Sequence, residues 1–151
     1  MDYEHFMKKA LNQAKNALSA GEFPVGCVIA DKKNILVTGF RHATSGDESN
    51  EIDHAEIVAL RALYAEKAVE NTDELTLYCT LEPCLMCYTT MLLSGIRTFV
   101  WAYEDVMGGG TNLPLSGLNI LYRKMEVKLI DSVLSSQSLH LFQEFVRTFP
   151  Y

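Results

Sequence analysis

The chain has 151 residues, of which 48% are hydrophobic, 21% charged and 10% aromatic, with a formal net charge of −6. This excludes collagen-like, low-complexity and wholly disordered proteins, and the length fits one domain, residues 1–151, able to bury a core without disulfides. The acidic balance, with basic residues no denser than pairs such as Lys8-Lys9 and Lys32-Lys33, disfavours a large nucleic-acid footprint.

No run approaches the roughly 20 apolar residues of a membrane-spanning helix, so no membrane association is expected. Met1-Asp2-Tyr3-Glu4-His5 begins no secretory signal, and a cytoplasmic protein is the expectation. In chain order, residues 2–20 read as an amphipathic helix, with Phe6, Ala10, Ala14, Ala17 and Leu18 at helical spacing and Gly21 as the stop. Val25–Ala30 and Ile35–Phe40 read as strands joined through Asp31-Lys32-Lys33-Asn34, a hairpin signal. Arg41 to Glu51 is polar and reads as a loop. Asp53 is placed to cap a helix from His54 to about Glu70, with Ile57, Leu60, Arg61 and Tyr64 on one face. Leu75–Thr80 is a strand. Pro83 opens a helix to about Ser94, ended by Gly95; Thr98–Ala102 and Val127–Ile130 are strands, and Val133–Phe149 a closing helix. Strands alternating with helices predict a helix-covered sheet, mixed because its first two strands form a hairpin. Gly108-Gly109-Gly110 reads as a flexible loop within the domain.

Chemistry concentrates in His54-Ala55-Glu56 and Pro83-Cys84-Leu85-Met86-Cys87. Zinc takes nitrogen and sulfur ligands, and a catalytic zinc uses three from the protein and leaves one position open. Cys84 and Cys87, at i and i+3, face one way at a helix start, and His54 starts another helix. Both helix N-termini would favour thiolate over thiol. Glu56 can enter the same pocket without ligating the metal and act as a general acid–base. Each piece alone has an ordinary reading: a surface histidine, a solvated glutamate, a redox or core C-x-x-C. Cys27 and Cys79 sit in strand-like runs and read as small core residues; Cys79 is the alternative fourth ligand of a structural site.

Together, H-x-E followed by P-C-x-x-C is the pattern of zinc-dependent nucleobase deaminases. The chain resembles the cytidine deaminase-like superfamily, and within it the branch containing tRNA adenosine deaminases and guanine deaminases. Glu22-Phe23-Pro24-Val25-Gly26 is similar to that branch's entry to its first strand. His54–Arg61 is similar to its zinc helix, and Leu77–Cys87 to its L-Y-x-T-L-E-P-C-x-M-C run. Glu104-Asp105 to Gly108-Gly109-Gly110 is similar in position. The resemblance implies a three-layer α/β/α fold with a five-stranded mixed sheet. It also implies zinc on His54, Cys84 and Cys87, and hydrolytic deamination with Glu56 as proton shuttle. It places the Ala55 N–H and a carbonyl at Leu81 or Glu82 against the base, and implies a homodimer pairing across the metal-carrying helices.

Three departures bear on substrate. Gly39-Phe40-Arg41 stands where the family usually has Asn after the aromatic residue. Arg41 offers donors but no acceptor, and either faces the ligand or points to solvent. Tyr88-Thr89-Thr90 is bulkier than the branch's small residues. The tail through Tyr151 lacks the basic extension of tRNA-binding members; its Phe142, Phe145 and Phe149 either stack on a base or belong to the core. The expectation is a deaminase of a free nucleobase, nucleoside or related heterocycle, with the wobble adenosine of tRNA as the alternative substrate. A zinc-stabilised interaction domain is the non-enzymatic alternative.

Overall fold

The computed structural model describes residues 1–67 and 69–150. Helix α1 (Tyr3–Ser19) precedes the hairpin β1 (Gly26–Ala30) and β2 (Ile35–Phe40). Then come α2 (Ala55–Glu66), β3 (Thr76–Leu81), α3 (Leu85–Leu93) and β4 (Thr98–Tyr103). A short helix α4 (Ile120–Arg123), β5 (Lys128–Ile130) and α5 (Ser135–Thr148) complete the described elements. The sheet has five strands in the order β2-β1-β3-β4-β5. β1 is antiparallel to β2 and β3, whereas β4 is parallel to β3 and β5. This is the expected mixed sheet. Asp31 shapes the hairpin turn by accepting the N–H groups of Lys33 and Asn34, both at 2.6 Å.

Side chains of the central strands alternate between two cores. Cys27, Ile29, Leu77, Cys79, Phe99 and Trp101 face Ala59, Leu60 and Leu63 of α2 and Met91 and Leu92 of α3. Val28, Ala30, Tyr78, Val100 and Ala102 face Phe6, Met7, Ala10, Leu11 and Ala14 of α1 and Leu141 of α5. Burial on both faces is why these strands read as continuous apolar runs. The result is the three-layer α/β/α arrangement the resemblance implied.

Several local expectations are corrected. The N-cap of α2 is His54, not Asp53. The Asp53 carboxylate instead accepts from Arg61 at 3.1 Å and from the Asn50 amide at 2.9 Å. The buried face of α2 runs through Ala55, Glu56, Ile57, Ala59, Leu60 and Leu63, while Arg61 and Tyr64 are exposed. That helix stops at Glu66, with Lys67 left-handed at φ 52°, short of Glu70; Ala68 lies outside the described residues. The helix expected from Pro83 begins at Leu85 with Cys84 as N-cap. The short α4 had no periodic signal because it is only one turn long.

The close seating of α1 on β1 depends on Gly26, where a Cβ would lie 2.2 Å from the Ala14 backbone nitrogen and 2.5 Å from the Ala10 carbonyl oxygen. Backbone cannot rotate aside as a side chain can. Gly26→Ala is therefore expected to lose about 1–3 kcal/mol or more, measured as a lower denaturant midpoint. An unchanged midpoint would mean that α1 shifts freely.

Candidate metal centre and its cavity

His54 and Cys84 occupy equivalent places at the starts of α2 and α3. Each is the N-cap, with extended backbone at φ −63°, ψ 154° and φ −67°, ψ 170°. N-cap side chains usually bond back to the helix. Neither does so here, which leaves an imidazole and a thiol free to turn outward. Cys87 follows one turn into α3 and is fully buried. The carboxyl ends of β2 and β3 and the facing helix starts bring these groups together, with unpaired first-turn N–H groups and positive dipole ends aimed between them.

His54 Nδ1 lies 3.5 Å from Cys84 Sγ and 3.6 Å from Cys87 Sγ. The three ligand atoms all fall within 4.8 Å of one another. Tetrahedral zinc, with Zn–S of about 2.3 Å and Zn–N of about 2.0–2.1 Å, requires an N–S edge of about 3.6 Å. The donor set therefore fits zinc in both chemistry and spacing. The Cys84 thiol is held down to about 4, chiefly by the hydrogen bond from the Cys87 thiol and then by His54. The same bond, with burial, pushes Cys87 up. The hydrogen bond with Cys84 raises His54. Cys87 thus donates its S–H to the Cys84 sulfur, and a cation held between them would replace that proton.

Glu56 is 4% exposed and lines the same cavity as His54 and Cys84, outside the ligand group. Burial raises its pKa above the usual carboxylate range. A buried carboxyl beside the donor group is suited to taking and returning a proton. Cys79, weighed above as a further ligand, lies in the core opposite Cys27 across β1 and β3, and is not in the ligand group.

The cavity measures about 440 Å³. Arg41, Ala55, Leu81 and Glu82, the expected substrate-contacting residues, all line it. Arg41 does not point to solvent; it is 6% exposed. Its guanidinium donates to the carbonyls of His42 and Asn50, the latter at 2.6 Å. The Glu82 carboxylate accepts from the Asp105 N–H at 3.1 Å and from the Thr111 hydroxyl. A Cβ on Gly109 would come within 2.3 Å of Glu82 Oε2. The glycines at 108–110, expected as a flexible loop, thus include one that allows close approach to a buried carboxylate. Tyr88 turns away from the cavity and packs edge-on against Phe99 at 4.9 Å.

Phe23, Val25, Thr44, Glu51 and Asp105 also line the cavity, and the sequence reading assigned none of them a role. Phe23 and Val25 belong to the Glu22–Gly26 run, so the run itself was the signal. Glu22 accepts the N–H groups of Ala43 and Thr44 at 3.2 and 2.7 Å, clamping the loop that follows β2. Burial pushes that carboxyl up, but these bonds and the Thr44 hydroxyl outweigh it and hold its pKa low. Glu51, a lone acid in a polar loop, carried no signal. Of the tail aromatics, Phe145 is buried, and Phe142 packs on Phe23 with ring centroids 5.2 Å apart. They support the cavity wall from behind; Tyr151 lies outside the described residues.

Residues 1–103 match the family model of the cytidine and deoxycytidylate deaminase zinc-binding region. A tRNA-specific adenosine deaminase of Aquifex aeolicus is 33% identical over 121 residues, covering 80% of this chain and 77% of its own. One of Rickettsia felis is 28% identical over 141 residues, covering 93% and 98%. Among solved structures, a tRNA deaminase that edits the wobble position superposes with a TM-score of 0.73 at 23% identity, covering 91% of this chain and 98% of that one. The guanine deaminase of Nitrosomonas europaea gives 0.75 at 18%, covering 94% and 83%. At these identities, the structural matches establish the fold.

Proposed function

Because the chain belongs to the zinc-binding family of cytidine and deoxycytidylate deaminases, we propose that it releases ammonia from an aminated nucleobase, nucleoside or related heterocycle. The observation that carries this reading is the three-donor group of His54, Cys84 and Cys87 beside a buried, unligated Glu56. A purely structural zinc needs four protein ligands and no free carboxylate, which disfavours the interaction-domain alternative.

When bound by those three residues, zinc supplies a water acidified enough to react at neutral pH. Glu56 would take one proton from the attacking water as the water oxygen bonds to the amidine carbon of the ring, and pass it to the ring nitrogen. Glu56 would then take the second proton, from the added hydroxyl, and give it to the departing amine, so the C–N bond breaks and ammonia leaves. Ala55, first residue of α2, has an N–H without an intrahelical acceptor and holds a ring acceptor. A carbonyl at Leu81 or Glu82 accepts from the amino group. Arg41 fixes the cavity wall and turns its remaining donors to the ligand.

The chain acts as one deaminase domain in the cytoplasm, where the thiols stay reduced. No described helix is long and apolar enough to cross a membrane. Pairing of two copies across α2 and α3 is supported by the exposed Tyr64, Leu85, Leu93, Val106 and Met107 on or beside those helices.

A small substrate is favoured by charge. Among the described residues lining the cavity, Arg41 is the sole Lys or Arg, set among Glu51, Glu56, Glu82 and Asp105. RNA binding draws on several phosphate-neutralising cations. The second reading, the wobble adenosine of tRNA, is favoured by the tRNA-specific adenosine deaminases that are 28–33% identical to this chain. Ammonia release across adenine, guanine, cytosine, their nucleosides and an anticodon stem-loop with wobble adenosine separates the two. The expected result is a higher kcat/KM on at least one small substrate than on the stem-loop. Turnover of the stem-loop alone installs the tRNA reading.

A further inference from the structure

The two nitrogens of His54 meet different groups. Nδ1 faces the sulfurs of Cys84 and Cys87, at 3.5 and 3.6 Å. Nε2 faces Glu51 Oε2, at 3.4 Å. The same carboxylate oxygen lies 3.9 Å from the Arg41 guanidinium. The backbone around Glu51 is fixed from both sides. Arg41 donates to the Asn50 carbonyl, while the Asn50 side-chain oxygen accepts the N–H groups of Ile52 and Asp53, at 2.8 and 2.9 Å. Glu51 therefore stands at a defined place on the cavity wall between a guanidinium and an imidazole.

A neutral histidine can offer Nδ1 to a metal only when its proton sits on Nε2. A carboxylate opposite Nε2 accepts the hydrogen bond of that tautomer. It opposes the other tautomer, whose lone pair would face the negative charge. We propose that Glu51 is a positioning residue that holds His54 in the Nε2–H tautomer and keeps Nδ1 directed at the two thiolates. The inference rests on the zinc reading of the site. Groups that orient metal-bound histidines are typically worth 10–100-fold in metal affinity. The Glu51 side chain is 92% exposed, so water screens the contact and the effect belongs at the low end, about tenfold.

The test is zinc transfer from the purified full-length protein to a chromophoric chelator, for wild type, Glu51→Ala and Glu51→Gln. Glu51→Ala should bind zinc about tenfold more weakly. Glu51→Gln keeps an acceptor oxygen and should recover most of the loss. Cobalt-substituted Glu51→Ala should keep thiolate charge-transfer bands but show displaced d–d bands, reporting a turned imidazole. The metal-free melting temperature should not change, because an exposed side chain contributes little to packing. A Glu51→Ala affinity within twofold of wild type overturns the proposal. Equal losses in Glu51→Ala and Glu51→Gln also overturn it, since charge alone would then explain them. So does a fall in the metal-free melting temperature large enough to account for the lost zinc. A wild-type protein that holds no zinc removes the metal site itself, and this inference with it.

Discussion

Glu56→Gln should retain zinc and fold and lose about 10²–10⁴-fold in turnover, or more. The substitution keeps size and shape in a position 4% exposed to solvent, so packing is preserved. It removes the one property the chemistry uses, a carboxylate able to accept and return a proton. Because Glu56 serves the attacking water, the ring nitrogen and the leaving amine, its loss touches each proton transfer. Zinc content by metal analysis and ammonia release by a coupled assay give the two readouts. An active Glu56→Gln protein would remove Glu56 from the mechanism. A variant that loses its zinc would make Glu56 a ligand or support for the metal instead.

The legibility of this site in the sequence differs residue by residue, for physical reasons. His54, Glu56, Cys84 and Cys87 stood out because a metal restricts residue type and spacing at once, and both are visible in one dimension. The strands stood out because, the buried Thr76 and Thr80 of β3 aside, the core positions of β1, β3 and β4 are apolar or small, whichever face they serve. The start of α2 was misread because Asp53 is the better capping residue. The structure leaves the cap position to His54, whose side chain is turned to the thiols, and gives Asp53 to Arg61 and Asn50. Arg61 and Tyr64 follow helical spacing from Ile57, yet the buried stripe, which does include Ile57 and Leu60, is rotated away from them toward Ala59 and Leu63. Single-sequence periodicity cannot locate the sheet against which a short helix lies. Arg41 stood out as a departure from the family pattern, but its partners, and any role for Glu51, were illegible for a different reason. Their partners are backbone carbonyls and a ring nitrogen brought close by the loop, and a carbonyl leaves no trace in residue type. The same holds for Gly109, whose missing side chain is explained only by the carboxylate of Glu82 against it.

Replacing Cys87 should have the largest effect on metal content. Cys87 is fully buried at the first turn of α3 and supplies one of the three donor atoms. Cys87→Ala leaves one thiol and one imidazole, too few to hold zinc against water and buffer. Zinc should fall from about one per chain to well below half, and turnover with it. Stability should follow by linkage, since a ligand that binds only the folded chain contributes about 2.7 kcal/mol when free zinc is 100 times its dissociation constant. For a chain of this size, each kcal/mol is worth about 2–4 °C in melting temperature, so the zinc-dependent part of the shift is about 5–11 °C. The metal-free wild type should melt near the variant, which separates lost metal from lost packing. Cys27→Ala is the control. Cys27 is equally buried, in the core between the sheet and α2 and α3, but it lies outside the donor group, so zinc should stay. A Cys87→Ala protein that still carries about one zinc per chain would show that the metal is held elsewhere. It would also undo the assignment of α2 and α3 as the two arms of the centre.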